Sequence, residues 1–166
     1  MKIDVSEFFR KKVQKLPFDV TSQLSTIDRD ELIISLNSPI NIKGNAYYDE
    51  EEVVTLVGTI TTTLKMQCSM CLEDVLYPVS IEFNEEYTKL NSDEDRYLIS
   101  EEETIELLDM VTDNLILFMP IKANCTEDCK GLCPKCGKNL NKGLCNCTSD
   151  DIDPRLEVLK NLFKGE

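Results

Sequence analysis

Eight cysteines and no histidine define the chemistry open to this 166-residue chain. Thiolates are its only soft ligands, so a Cys-His nucleophile, a Ser-His-Asp triad and a His-ligated catalytic zinc are all excluded. Leu132-Cys133-Pro134-Lys135-Cys136-Gly137 has the form of a zinc knuckle. Two intervening residues let both sulfurs reach one ion, and a glycine after the second cysteine permits the positive-φ turn that aims backbone N–H groups at them. Cys145-Asn146-Cys147 supplies two more sulfurs. Cys133, Cys136, Cys145 and Cys147 are therefore expected to close a tetrahedral structural Zn2+ site, with sulfurs at about 2.3 Å.

Cys68-Ser69-Met70-Cys71 and Cys125-Thr126-Glu127-Asp128-Cys129 are each half a site. Together they are expected to form a second Zn2+ site that clamps the cysteine-rich tail to the preceding domain. The chain would then carry one or two structural zinc ions. Other pairings of Cys125 and Cys129, reduced thiols at Cys68 and Cys71, a redox C-x-x-C and an iron–sulfur cluster are the competing readings. Clustered cysteines in a reducing compartment hold metal more often than they form disulfides. No apolar leader opens the sequence and no apolar run approaches the roughly 20 residues of a membrane span, so a cytoplasmic protein without membrane association is expected.

The elements that must position these thiols are mainly strands. Residues 4 to 12 suit a short helix. Leu32 to Leu36, Pro39 to Tyr48, Val53 to Met66 and Val75 to Thr88 read as strands. In the third of these, Val54, Leu56, Gly58, Ile60, Thr62 and Leu64 share one face. In the fourth, Val79, Ile81 and Phe83 alternate with Ser80, Glu82 and Asn84. Thr104 to Met119 reads as a helix, with Ile105, Leu108, Val111, Leu115 and Phe118 at helical spacing and Thr104 as N-cap. Asp153-Pro154 starts a last helix with Leu156, Leu159 and Phe163 in a stripe. The expected fold is α+β, an antiparallel open β-barrel or sandwich with flanking helices and a C-terminal zinc-binding module. The expected units are a mainly β domain over 1–119, the cysteine-rich module over 120–150 and the C-terminal helix over 151–166.

Charge is polarised. The net charge is -13, and Glu82 to Asp113 holds twelve acidic residues against Lys89 and Arg96. Met119 to Cys147 holds Lys122, Lys130, Lys135, Lys138 and Lys142 against Glu127 and Asp128. If RNA is bound, those five lysines are the expected contacts. No glycine-rich phosphate loop and no convincing acid–base pair is present, so neither an enzyme nor a small-molecule substrate is expected.

The chain resembles the YceD-like bacterial proteins, the large-subunit ribosomal RNA accumulation family. The resemblance rests on Cys68-x-x-Cys71-Leu72, on Leu117-Phe118-Met119-Pro120, and on the run from Cys125 through Cys133-Pro134-x-Cys136-Gly137 and Leu140-Asn141 to Cys145-x-Cys147. Asp153-Pro154-Arg155-Leu156 completes it. The cysteine-rich tail is similar to that of the Gram-positive form. This resemblance implies a role in ribosome biogenesis, with large-subunit ribosomal RNA, ribosomal proteins or assembly factors as partners. One route is direct contact with RNA. The other is an adaptor whose acidic face recruits a basic ribosomal protein.

Overall fold

The computed structural model describes residues 1–10, 13–49, 53–89 and 97–147. The expected helix over 151–166 and the acidic loop from Asn91 to Asp95 lie outside the described residues.

In chain order the elements are β1 (Lys2–Asp4), α1 (Ser6–Phe9), β2 (Lys15–Ser22), β3 (Thr26–Arg29), β4 (Leu32–Ser35) and β5 (Ile40–Tyr48). They continue with β6 (Val54–Gln67), β7 (Asp74–Thr88), β8 (Tyr97–Leu98), β9 (Thr104–Glu106) and α2 (Leu108–Phe118). The main sheet runs β2-β5-β6-β7-β8. Its first four strands are antiparallel neighbours, while the two-residue β8 joins β7 in parallel. β1–β9 and β3–β4 form separate two-stranded sheets.

No closed barrel forms among the described residues. β2 and β8 do not pair, so the main sheet stays open. β8 offers only two residues, and Pro17 in β2 has no N–H to give a ladder. What curls instead is the periphery. The β3–β4 hairpin, the β1–β9 ribbon and both helices bring Ile27, Ile34, Val5, Phe8, Ile105, Met110 and Leu115 onto one face of the sheet. That face is built by the period-two pattern: Val54, Leu56, Ile60 and Leu64 of β6 and Val79, Ile81 and Phe83 of β7 are buried. Each large aliphatic side chain taken fully out of water contributes roughly 1.5–3 kcal/mol, so this stripe sets the register of the hairpin.

Gly44 and Gly58 face each other across β5 and β6. A Cβ on either would lie 2.3 Å from a backbone carbonyl of the other strand, so only glycine permits the close approach.

The helix expected from Thr104 begins instead at Leu108. Thr104–Glu106 forms β9 and pairs with Lys2–Asp4, and no side chain caps the helix. Ile105 is fully buried through that pairing rather than through a helical face. The N-terminal helix is likewise confined to Ser6–Phe9, because Lys2–Asp4 is taken by the ribbon.

Candidate metal centres

β6 and β7 pair to their very ends, Gln67 opposite Asp74, and the turn between them is the first cysteine knuckle. The Cys68 N–H donates to the Glu73 carbonyl at 2.8 Å, and the Leu72 N–H donates to the Cys68 carbonyl at 2.9 Å. The second knuckle repeats this pattern. There the Cys133 N–H donates to the Lys138 carbonyl at 2.8 Å, and the Gly137 N–H to the Cys133 carbonyl at 2.9 Å. The residue after the second cysteine takes positive φ in both turns, 71° at Gly137 and 61° at Leu72. Glycine does so freely. A leucine there costs about 1–2 kcal/mol in backbone strain. Leu72 is 58% exposed, so burial returns little of that cost.

The tail after α2 wraps this first knuckle. The Ser69 N–H donates to the Ala123 carbonyl at 2.8 Å, and the Leu132 N–H to the Met70 carbonyl at 3.0 Å. Asn139 Nδ2 donates to Glu73 Oε1 at 3.2 Å, and Lys142 Nζ forms an ion pair with the same carboxylate. The hairpin end and the tail therefore share backbone hydrogen bonds as well as cysteines.

The eight sulfurs gather into two quartets, Cys68, Cys71, Cys125 and Cys129 in one, Cys133, Cys136, Cys145 and Cys147 in the other. Within each quartet all four sulfurs lie within 4.8 Å of one another. Cys68 Sγ lies 3.8 Å from Cys129 Sγ, and Cys71 Sγ 3.5 Å from Cys125 Sγ. A tetrahedron with 2.3 Å metal–sulfur bonds has edges of about 3.8 Å, so the donor sets fit a four-thiolate ion. The two sites differ in surroundings. In the first Cys68 and Cys71 are buried and Cys125 alone is exposed, whereas in the second Cys133 alone is buried and Cys136 and Cys147 are exposed.

Hydrogen bonds to sulfur orient the first quartet: the Cys125 N–H donates to Cys68 Sγ at 3.4 Å, and Asn141 Nδ2 to Cys129 Sγ at 3.3 Å. Burial disfavours the Cys68 thiolate, but N–H groups of Met70, Cys71 and Cys125 outweigh it and bring the thiol down to about 6. At Cys71 the Glu73 N–H favours the thiolate. Burial and the three neighbouring sulfurs prevail and push it up to about 12. In the second quartet the N–H groups of Cys136 and Lys135 lower Cys133 to about 6, and Cys136 together with burial raises Cys147 to about 12. Four thiolates so close cannot all ionise alone. A divalent cation removes that conflict, which is the electrostatic reason such a cluster takes metal.

The five lysines named from the sequence are all exposed. They are not all available, however: Lys142 is held by Glu73, and Lys138 Nζ donates to the Leu144 carbonyl at 2.7 Å. Sequence reasoning did not single out Glu73 or Asn141 as contacts of the site. Both depend on a fold-back that no local pattern encodes. The departure at Leu72 was visible, since the two knuckles differ there in the one position that asks for glycine.

No helix among the described residues is long and apolar enough to cross a membrane. No solved structure matches the chain. The YlbN protein of Bacillus subtilis is 29% identical over 170 aligned residues, spanning 100% of this chain and 98% of its own length. A Mycobacterium leprae protein is 28% identical across 70% of this chain, covering 56% of its own length. The chloroplastic YCED homolog 1 of Arabidopsis thaliana, named a large ribosomal RNA subunit accumulation protein, is 40% identical over 58 residues, 35% of this chain and 18% of its own. Residues 56–163, from the core of β6 through both knuckles, match the family described as large ribosomal RNA subunit accumulation protein YceD. With both half-sites of each quartet inside that match, the chain belongs to the YceD family.

Proposed function

We propose that this protein is a non-enzymatic ribosome-biogenesis factor of the cytoplasm that supports accumulation of large-subunit ribosomal RNA by recruiting a basic ribosomal protein. The family's description supports the ribosomal half of this reading. The observation that carries the rest is the closure of both cysteine quartets. Closed four-thiolate sites leave no open position for a substrate, and an all-sulfur set built on a Pro134 and Gly137 knuckle suits structural Zn2+. A colourless protein with two zinc ions per chain is expected. Visible charge-transfer bands would replace zinc with an iron–sulfur cluster.

The closed sites also bear on the choice between the two routes to rRNA. Each quartet with its ion carries about −2, so two of them more than cancel the excess of three lysines in the tail. Lys138 and Lys142 are engaged within the protein. From Met119 to Cys147 there is no arginine and no aromatic residue on which a base could stack. These features favour the adaptor over direct RNA contact through Lys122, Lys130, Lys135, Lys138 and Lys142.

Depleting the protein in its host and quantifying large- against small-subunit rRNA tests the reading. A selective fall in large-subunit rRNA, restored equally by the wild type and by a Lys122→Glu, Lys130→Glu double variant, is the expected outcome. Undiminished large-subunit rRNA would refute the ribosomal role. Failure of the double variant alone would return the lysines to an RNA-binding role.

A further inference from the structure

The first knuckle keeps a leucine where its twin has glycine, and it keeps it in water. Leu72 holds φ 61° with 58% of its surface exposed, while Gly137 makes the same turn at φ 71°. The Leu72 hydrogen bond to Cys68 comes from its backbone N–H, so the turn does not require the leucine side chain. A packing need does not account for a strained, exposed apolar residue, and its position points to a contact made outside the chain.

It does not stand alone. Met70, in the same turn, is half exposed, and Ile121 is fully exposed. Ile121 is placed beside the knuckle by its neighbours in sequence. Met119 borders the same surface cleft as Met66 and Gln67 at the end of β6, and the Ala123 carbonyl accepts from the Ser69 N–H within the turn. The segment carrying Ile121 therefore runs along the knuckle's flank, and the Cys71–Cys125 contact pins it there.

We propose that Met70, Leu72 and Ile121 form the anchoring surface for a basic protein that inserts an apolar segment against the metal-clamped rim. This rests on the adaptor reading above and locates its contact. The occupant's charge follows from complementarity: the chain is at -13 before any metal, and closed sites beside the surface make it more negative. The occupant's apolar anchor follows from the three side chains, which offer an aliphatic surface and no stacking platform.

The test uses full-length, metal-loaded protein and individually purified proteins of the large ribosomal subunit, with large-subunit rRNA fragments as a second probe. Leu72→Gly relieves the turn, and Ile121→Ser alters a fully exposed side chain, so neither should unfold the protein. The expected result is that the wild type binds at least one basic protein. Both variants should weaken that binding at least tenfold, with metal content kept and the melting temperature no lower.

Unchanged binding in both variants overturns the proposal, as does a wild type that binds none of the proteins. Three other outcomes also overturn it by naming a different occupant. Lower melting with new proteolysis within residues 148–166 assigns the surface to the chain's own C-terminal segment. Loss of a concentration-dependent dimer assigns it to a second copy, and loss of rRNA-fragment binding alone assigns it to RNA. The depletion experiment separates the two levels: normal large-subunit rRNA on depletion refutes the ribosomal role while leaving any measured docking intact.

Discussion

At Leu72 the backbone makes the turn that Gly137 makes in the second knuckle, so the two positions form an internal control for the cost of a side chain at positive φ. Leu72→Gly should stabilise the metal-loaded protein by about 1 kcal/mol, less than the full strain because glycine also frees the unfolded chain. For a domain of this size that is a rise in melting temperature of roughly 2–4 °C, measured at fixed free zinc. Gly137→Leu should do the reverse, with open space around it so that strain alone is read. An unchanged or lower melting temperature for Leu72→Gly would mean the leucine supports the fold. The cysteines were legible because their chemistry depends on type and spacing. The strain was only partly so: the sequence shows leucine where the second knuckle has glycine, but the positive φ itself comes with the Cys68 and Glu73 hydrogen bonds that close the hairpin.

Among the elements, β6 and β7 were legible because a strict period-two pattern over many residues admits one buried face. Thr104 to Glu106 was not. Ile105 and Leu108 satisfy helical spacing as well as a strand followed by a helix, and the decision comes from Lys2–Asp4 at the far end of the chain. An open sheet was expected, but the choice between an open barrel and a sandwich was not legible, since strand lengths do not say where the edges go. Where β5 crosses β6, Gly58→Ala puts a methyl group 2.3 Å from the Lys43 carbonyl and should cost about 2–3 kcal/mol by forcing the strands apart, read by denaturant unfolding. A loss near zero would show that the strands can separate freely at this point. The tail is the opposite kind of element: it is short of core residues, and on the structural-zinc reading proposed above its shape would come from metal. A strong chelator should therefore release metal in two phases, first from the exposed Cys136 and Cys147 site, then from the site holding the buried Cys68 and Cys71. Amide spectra should lose the 119–147 resonances while β5 to β7 persist. A single phase, or collapse of the sheet with the tail, would contradict that division.

For the whole molecule the decisive quantity is the separation of charge from apolar contact. Glu82, Glu101 and Glu102 are exposed on the acidic part of the chain, while Met70 and Leu72 are exposed at the first knuckle and Ile121 on the tail segment leading to Cys125. Long-range charge steers the encounter of two proteins, and it fades within a Debye length of about 10 Å at 0.1 M salt. Short-range apolar contacts govern how long the complex lasts. Neutralising the three glutamates with glutamine should therefore slow association with a basic partner several-fold at low salt and leave dissociation almost unchanged. Raising the salt should erase the difference from the wild type. Ile121→Ser should leave association almost untouched and speed dissociation. Stopped-flow kinetics at two salt concentrations reads both rates. If the glutamine variant alters dissociation instead, the carboxylates lie inside the contact, and the acidic face itself, not the rim, is where the partner is held.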